Sequence, residues 1–255
     1  MMPRGRVFLT GAPGDTLREW MIARVRASGY QPVVLSERDE GRDTSAGAPL
    51  TLGSGVAGLD LWRVAGEERF EAIALLDERL TPGRPLLSLC SAFSADEAAS
   101  YAVHGERVVG FSVFGPLREG MVAEVLPGLG SAPRAVERAI EFLRTLELTP
   151  EPLPPGSWAV LPRVLATIVN EATFAIAEGV ASAPDIDTAM RLGVNYARGP
   201  LELADEIGLG EILAVLEALQ TEYGDDRYRP APLLRRLVLA GYTGNAAGRG
   251  FHTYS

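Results

Sequence analysis

One cysteine and two histidines in 255 residues leave little room for disulfide or metal chemistry. Cys90 has no second cysteine to pair with inside the chain, and this usage fits a reducing compartment, so a cytoplasmic location is expected. His104 and His252 are far apart and have neither H-x-x-E-H nor C-x-x-C company, so no metal site is expected. They are read as a helix-end residue and part of the C-terminal tail. Positive charge is also short: 24 Lys and Arg stand against 33 Asp and Glu, a net charge of -9. That balance argues against nucleic acid or an anionic membrane surface as the main partner. Arg4 and Arg6 precede an apolar run too short for a signal peptide, and no stretch is expected to span a membrane.

What is present is an ordinary globular composition, 47% hydrophobic and 22% charged, with length for one domain or two. The first half alternates strand and helix signals. Val7–Leu9 is followed by helical spacing over 15–28, then strand 33–35. The Gly-, Ser- and Asp-rich stretch 37–58 reads as loop, with at most a short strand at 50–52. Helix 67–80, strand 86–89, helix 94–103 (Ser94 and Glu97 making a capping box), strands 107–114 and 121–126, and helix 134–146 complete the pattern. Such alternation predicts a largely parallel, doubly wound sheet. "TPEPLPPGSW" reads as a proline-rich linker. After it come helices from 161, 184–192, 200–206, 209–223 and 232–240, with Leu161, Val164, Leu165, Ile168, Val169, Ala172 and Ile176 on one stripe. The expected fold is therefore an α/β Rossmann-like domain, 1–153, followed by an all-α domain, 154–255.

The stretch "VFLTGAPGDTLREW" has the strand–glycine turn–helix order of a dinucleotide-binding unit, where a helix N-terminus holds a pyrophosphate. Gly11 and Gly14 fit T-G-x-x-G, but Leu17 takes the next glycine position. Asp15 falls at the N-cap, where its carboxylate can claim the N–H groups a phosphate would use and adds like charge. A capped strand–turn–helix without a ligand is the alternative reading.

The C-terminal half carries a specific resemblance. "EGVAS", "DIDTAM", "GPLEL", "RYRP" and "GRGF" resemble, in order and spacing, the 3-hydroxyacyl-CoA dehydrogenase family. "LSLCSAFSADEAA" and "ERVVGFSVFGP" with "AEVLPG" extend the likeness into the first half. The resemblance implies NAD-dependent oxidation of a 3-hydroxyacyl-CoA, a Rossmann-like domain, and a homodimer formed through the helical domain. It places the family's catalytic histidine on Ser112, its orienting glutamate on Glu124, its substrate serine on Ser91 and its substrate asparagine on Pro162. Gly11 and Gly14 take the cofactor-loop positions, with Glu37 as the cofactor-binding acid after the second strand. With the imidazole replaced by a hydroxyl, proton transfer near neutral pH is expected to be poor. NAD or NADP binding is expected to be weak or absent. Two functions follow: a 3-hydroxyacyl-CoA dehydrogenase-like protein of doubtful turnover, or a non-catalytic homologue that binds acyl-CoA or serves as a dimeric partner.

Overall fold

The computed structural model describes residues 4–35 and 55–254. The chain divides into two compact units, Met1–Val113 with Leu117–Ala159, and Phe114–Pro116 with Val160–Ser255. The expected strand at 50–52 and Glu37 lie outside the described residues.

The first unit is built on strands β1 (Arg6–Thr10), β2 (Gln31–Val34), β3 (Gly55–Asp60), β4 (Leu86–Leu89), β5 (Val108–Ser112), β6 (Val122–Pro127) and β7 (Thr149–Pro152). They form one sheet in the order β2-β1-β3-β4-β5-β6-β7. Only β5–β6 pairs antiparallel among these neighbours. Helices α1 (Thr16–Ala27), α2 (Glu67–Arg79), α3 (Ala95–Ser100) and α4 (Pro133–Thr145) cover it. Period-two alternation sorts side chains to two faces. Val7, Leu9, Leu87, Leu89, Val109 and Phe111 join Leu17 and Met21 of α1 and Phe142 and Leu143 of α4 in one core. Phe8, Val33, Leu86 and Val108 join Ile73 and Leu76 of α2 and Ala98 of α3 in the other. Each fully buried Leu or Phe contributes about 1.5–3 kcal/mol before entropy is counted.

Two expectations are corrected. Residues 55–58 are not loop but open β3, whose glycines are there for packing. A Cβ on Gly55 would lie 2.5 Å from the Phe8 ring, and one on Gly58 would lie 3.2 Å from Leu80 Cδ1. Nor is the proline-rich segment only a linker, because its first residues form β7. This is the outer strand, where a missing N–H is tolerated. Thr149 and Leu153 donate their N–H groups to Met121 and Val125, while Pro150 and Pro152 fall between them.

The second unit holds α5 (Val160–Ala177), α6 (Ala183–Val194), α7 (Pro200–Ile207), α8 (Leu209–Tyr223) and α9 (Pro232–Leu239). By length and composition α5, at a mean hydropathy of 1.4, is apolar enough to cross a membrane, which the sequence reading did not anticipate. Its buried face, however, carries Asn170 and Thr173 as well as Leu165 and Val169. The Asn170 amide donates to Arg229 O at 3.0 Å and accepts from Ala231 N at 2.8 Å, pinning the "RYRP" segment as a core helix would. The stripe is narrower than expected, since Leu161 and Val164 are exposed.

Three further motifs in this unit, "DIDTAM", "GPLEL" and "GRGF", meet at two buried carboxylates. Asp187 accepts the N–H groups of Leu201 and Glu202 at 2.9 and 3.0 Å and faces His252 Nε2 at 2.8 Å. Asp205 accepts from Phe251 N, His252 N and the Tyr254 hydroxyl, each at 2.9 Å. Burial, together with the Asp205 carboxylate, pushes the Tyr254 phenol above its ordinary range. A Cβ on Gly199 would fall 2.1 Å from Asp187 Cγ, and one on Gly250 would fall 1.9 Å from Asp205 Oδ1. "GPLEL" and "GRGF" are therefore the seats of these two carboxylates.

Candidate active site

β1 lies next to the outer strand β2, with β3 on its other side. In such sheets ligands bind beyond the carboxyl ends of the strands, where the order reverses. A cavity of about 720 Å³ opens there, lined by Thr10–Pro13, Arg18, Leu35 at the end of β2, Trp62 after β3, and Glu68, Glu71 and Leu75 of α2. Gly11 and Gly14 make the turn into α1 with φ of 133° and 78°, angles that glycine adopts readily. A side chain on Gly11 would also press on Leu61 Cβ at 3.1 Å.

Asp15 caps α1, its Oδ1 accepting the Arg18 N–H at 3.0 Å. Its other oxygen receives Arg63 Nε at 2.6 Å, a partner that sequence reasoning did not supply. Leu17 is 1% exposed and packs in the core with Val7, Leu9 and Met21. It therefore does not crowd the phosphate position, and a Leu17→Gly change would hollow the core instead of opening the loop.

The second group of residues lies farther along the same edge. Ser91 follows β4 and Ser112 ends β5, and their hydroxyls are 3.0 Å apart. The hairpin register sets Ser112 directly opposite Glu124, so the two side chains share a face about 4.5–5.5 Å apart at Cβ. All three are at most 9% exposed. The structure thus gathers Ser91, Ser112 and Glu124, and joins Gly11 and Gly14 in one turn. Cys90, beside Ser91, is buried, and desolvation pushes its thiol up to about 12, so it offers no nucleophile.

Sequence reasoning missed a buried network between these groups. Asp60 Oδ2 receives Arg69 Nε at 2.9 Å and the Ser88 hydroxyl at 2.6 Å, while Arg69 Nη2 also reaches Ser88 Oγ at 2.9 Å. Arg69 lies over the Phe93 ring at 4.0 Å. The available signal was an acid closing an apolar stretch, "GVAGLD", with an arginine on the next helix. The loop signal over 37–58 masks the start of that stretch and so hides the strand that Asp60 ends. Among the described residues no group of three or more His, Cys, Asp or Glu side chains could hold a metal ion.

A glycine turn into a helix at the reversal point of a largely parallel sheet defines a Rossmann-like α/β unit of the dinucleotide-binding type. Residues 160–254 match the 3-hydroxyacyl-CoA dehydrogenase, C-terminal domain family. The chain is 35% identical over 184 residues to a probable 3-hydroxybutyryl-CoA dehydrogenase of Bacillus subtilis, covering 72% of this chain and 64% of that protein. It is 34% identical over 185 residues to the 3-hydroxybutyryl-CoA dehydrogenase of Clostridioides difficile, covering 72% and 66%. The matches thus take in a little under two thirds of these relatives. The crystal structure of (S)-3-hydroxybutyryl-CoA dehydrogenase PaaH1 from Ralstonia eutropha superposes with a TM-score of 0.81 at 26% identity, covering 98% of this chain and 99% of that one. The helical unit thus carries the C-terminal domain of the 3-hydroxyacyl-CoA dehydrogenase family, and the similarity to these relatives extends into the α/β unit.

Proposed function

We propose that this protein binds NAD or NADP and a 3-hydroxyacyl-CoA, and that it interconverts the 3-hydroxy and 3-oxo thioesters only slowly. The observation that carries this reading is the Ser91–Ser112 hydroxyl pair, 3.0 Å apart, with Glu124 across the strand from Ser112. Two hydroxyls can donate to a substrate oxygen, and Glu124 supplies negative charge beside them. Neither hydroxyl cycles a proton near neutral pH as an imidazole does, and loss of a general base typically removes ~10²–10⁴-fold in rate.

The cavity suits the nucleoside part of the cofactor. Thr10 is 2% exposed, lines the cavity, and its Oγ1 lacks a hydrogen-bond partner among the described residues. Thr10, Gly11, Ala12 and Trp62 would hold it, and Asp15 at the helix start opposes its diphosphate, hence the weak binding. When bound, the nicotinamide supplies hydride exchange. The same reading includes cytoplasmic residence and a homodimer through the helical unit, supported by the exposed Leu161, Val164, Leu192 and Leu239.

The direct test mixes the protein with NADH and acetoacetyl-CoA and follows the nicotinamide absorbance. A slow, protein-dependent decrease is expected. Turnover within about tenfold of the Bacillus relative's, measured side by side, would refute the loss of the base. The second reading, a non-catalytic acyl-CoA binder, is favoured by the burial of both hydroxyls against each other. It predicts saturable acetoacetyl-CoA binding with no absorbance change.

A further inference from the structure

The phosphate turn of the α/β unit contains an ion pair that goes beyond weak binding. The Asp15 carboxylate sits where a ligand anion would sit, at the N-terminus of α1. Its Oδ1 takes the Arg18 N–H at 3.0 Å. Arg63, from the segment after β3, reaches it twice, Nε to Oδ2 at 2.6 Å and Nη2 to Oδ1 at 3.4 Å. The pair is partly buried, with side-chain exposures of 29% for Arg63 and 16% for Asp15, so it is screened less than a surface pair.

Two further groups at the same cavity point to a polar ligand that the described residues do not provide. Buried Thr10 lines it with an unpartnered Oγ1, and Arg18, another lining residue, has a buried Nε without a partner among the described residues. Arg18 Nη1 meanwhile leans on the turn itself, 3.3 Å from Ala12 O. Two guanidinium groups, of Arg18 and Arg63, thus stand at the turn beside the Asp15 carboxylate. Arg63 offsets the charge of Asp15 at the turn, while Glu68 and Glu71 of α2 also line the cavity.

We propose that Asp15 and Arg63 form a latch on the cofactor's diphosphate site. In the free protein Asp15 is an internal anion that holds Arg63. A diphosphate ligand docks on the Thr10–Gly14 turn by taking Arg63 over from Asp15. Arg63 is then a cofactor-binding residue, and the exchange it undergoes is what makes binding weak. No bond other than hydrogen bonds and the ion pair changes. The inference rests on the dinucleotide reading above, but its test needs no turnover.

The test measures NADH and ADP-ribose affinity calorimetrically for the native protein, Asp15→Asn, Arg63→Ala and the double variant, with adenosine as the phosphate-free control. Asparagine still caps a helix, so the start of α1 is kept. Asp15→Asn is expected to tighten both diphosphate ligands about tenfold by removing the competing charge. Adding Arg63→Ala to Asp15→Asn is expected to loosen them again by about tenfold, the loss of a charge-assisted contact. Adenosine affinity is expected to stay the same in all four proteins.

The latch is overturned if Asp15→Asn binds no tighter, including the case in which no protein binds at all. It is also overturned if the double variant equals Asp15→Asn, because Arg63 would then only neutralise Asp15. An adenosine affinity that follows the diphosphate pattern overturns it too. The dehydrogenase reading fails separately. If the pattern holds and acetoacetyl-CoA is never reduced, the latch stands without that activity. If the native protein reduces it while Asp15→Asn gains no affinity, the activity stands without the latch.

Discussion

The helical unit closes its buried carboxylates, whereas the α/β unit leaves buried donors open. Asp187 and Asp205 each have three hydrogen-bonding partners. The buried side-chain atoms without partners among the described residues, on Thr10, Arg18, Arg69 and Arg79, all belong to the α/β unit. Buried polar groups are nearly always satisfied, so an orphan calls for an explanation. In the helical unit the family motifs are complete in themselves, because their glycines and acids hold the chain together. In the α/β unit buried donors near strand and helix ends lack partners among the described residues. A strong motif match in one unit therefore reports packing, and it says little about the chemistry of the other.

The largest expected effect breaks this contrast at two glycines. Gly250→Ala drives a Cβ to 1.9 Å from Asp205 Oδ1. The carboxylate must then abandon donors from Phe251, His252 and Tyr254, at a cost of about 3–5 kcal/mol. Gly14→Ala meets nothing within 4 Å and bears only the left-handed backbone cost of about 1–2 kcal/mol. Urea unfolding of the two variants checks the order. Equal losses would mean that the GRGF glycine is not the seat of a carboxylate.

This difference also governs how much of each unit was legible in the sequence. The nine α-helices among the described residues fall on the spans expected from apolar spacing and capping signals, α3 ending earlier at Ser100, because these signals are local. β3 was missed because its glycines serve close packing against Phe8 and Leu80, so composition alone gave a loop signal. β7 was missed because its prolines are legal only at the edge of a sheet, and edge position is a property of the whole fold. At the candidate site, Asp15 as cap and Ser112 opposite Glu124 were legible from local spacing and a hairpin count. Arg63 on Asp15, and Arg69 with Asp60 and Ser88, were not. Those pairings join residues from separate strand ends, and no sequence period links them.

The next prediction sharpens the comparison by restoring chemistry in the α/β unit. Ser112→His places an imidazole opposite Glu124, so oxidation of 3-hydroxybutyryl-CoA should rise by about 10²-fold. The gain should show a pH dependence centred near the ordinary histidine value of about 6.5. In a Glu124→Gln background most of the gain should vanish, because the imidazole loses its charged partner. Absorbance assays across pH check both points. A gain that is independent of pH and of Glu124 would mean that residue 112 acts by some other route.

The smallest effect concerns a buried acid of the α/β unit that, like those of the helical unit, has a full set of partners. Asp77 of α2 is 2% exposed. Its Oδ1 accepts Arg107 Nε at 2.5 Å, and its Oδ2 accepts His104 N at 3.1 Å and faces the His104 Nδ1 at 3.2 Å. Burial alone would raise its pKa. The Arg107 hydrogen bond, the His104 backbone N–H and the Arg107 charge together outweigh burial and hold it below the ordinary 3.8. An acid whose folded pKa is depressed binds protons less readily in the folded state than in the unfolded one. Its contribution is therefore complete above the unfolded value and is lost as pH falls from about 5 through 4 and below. Unfolding free energy measured over that range should fall more steeply for the native protein than for Asp77→Asn, which has no proton to gain there. Asp77→Asn should also be less stable at neutral pH, so the two curves converge on acidification. Parallel curves would show that Asp77 titrates alike in both states and that Arg107 and His104 do not hold its charge.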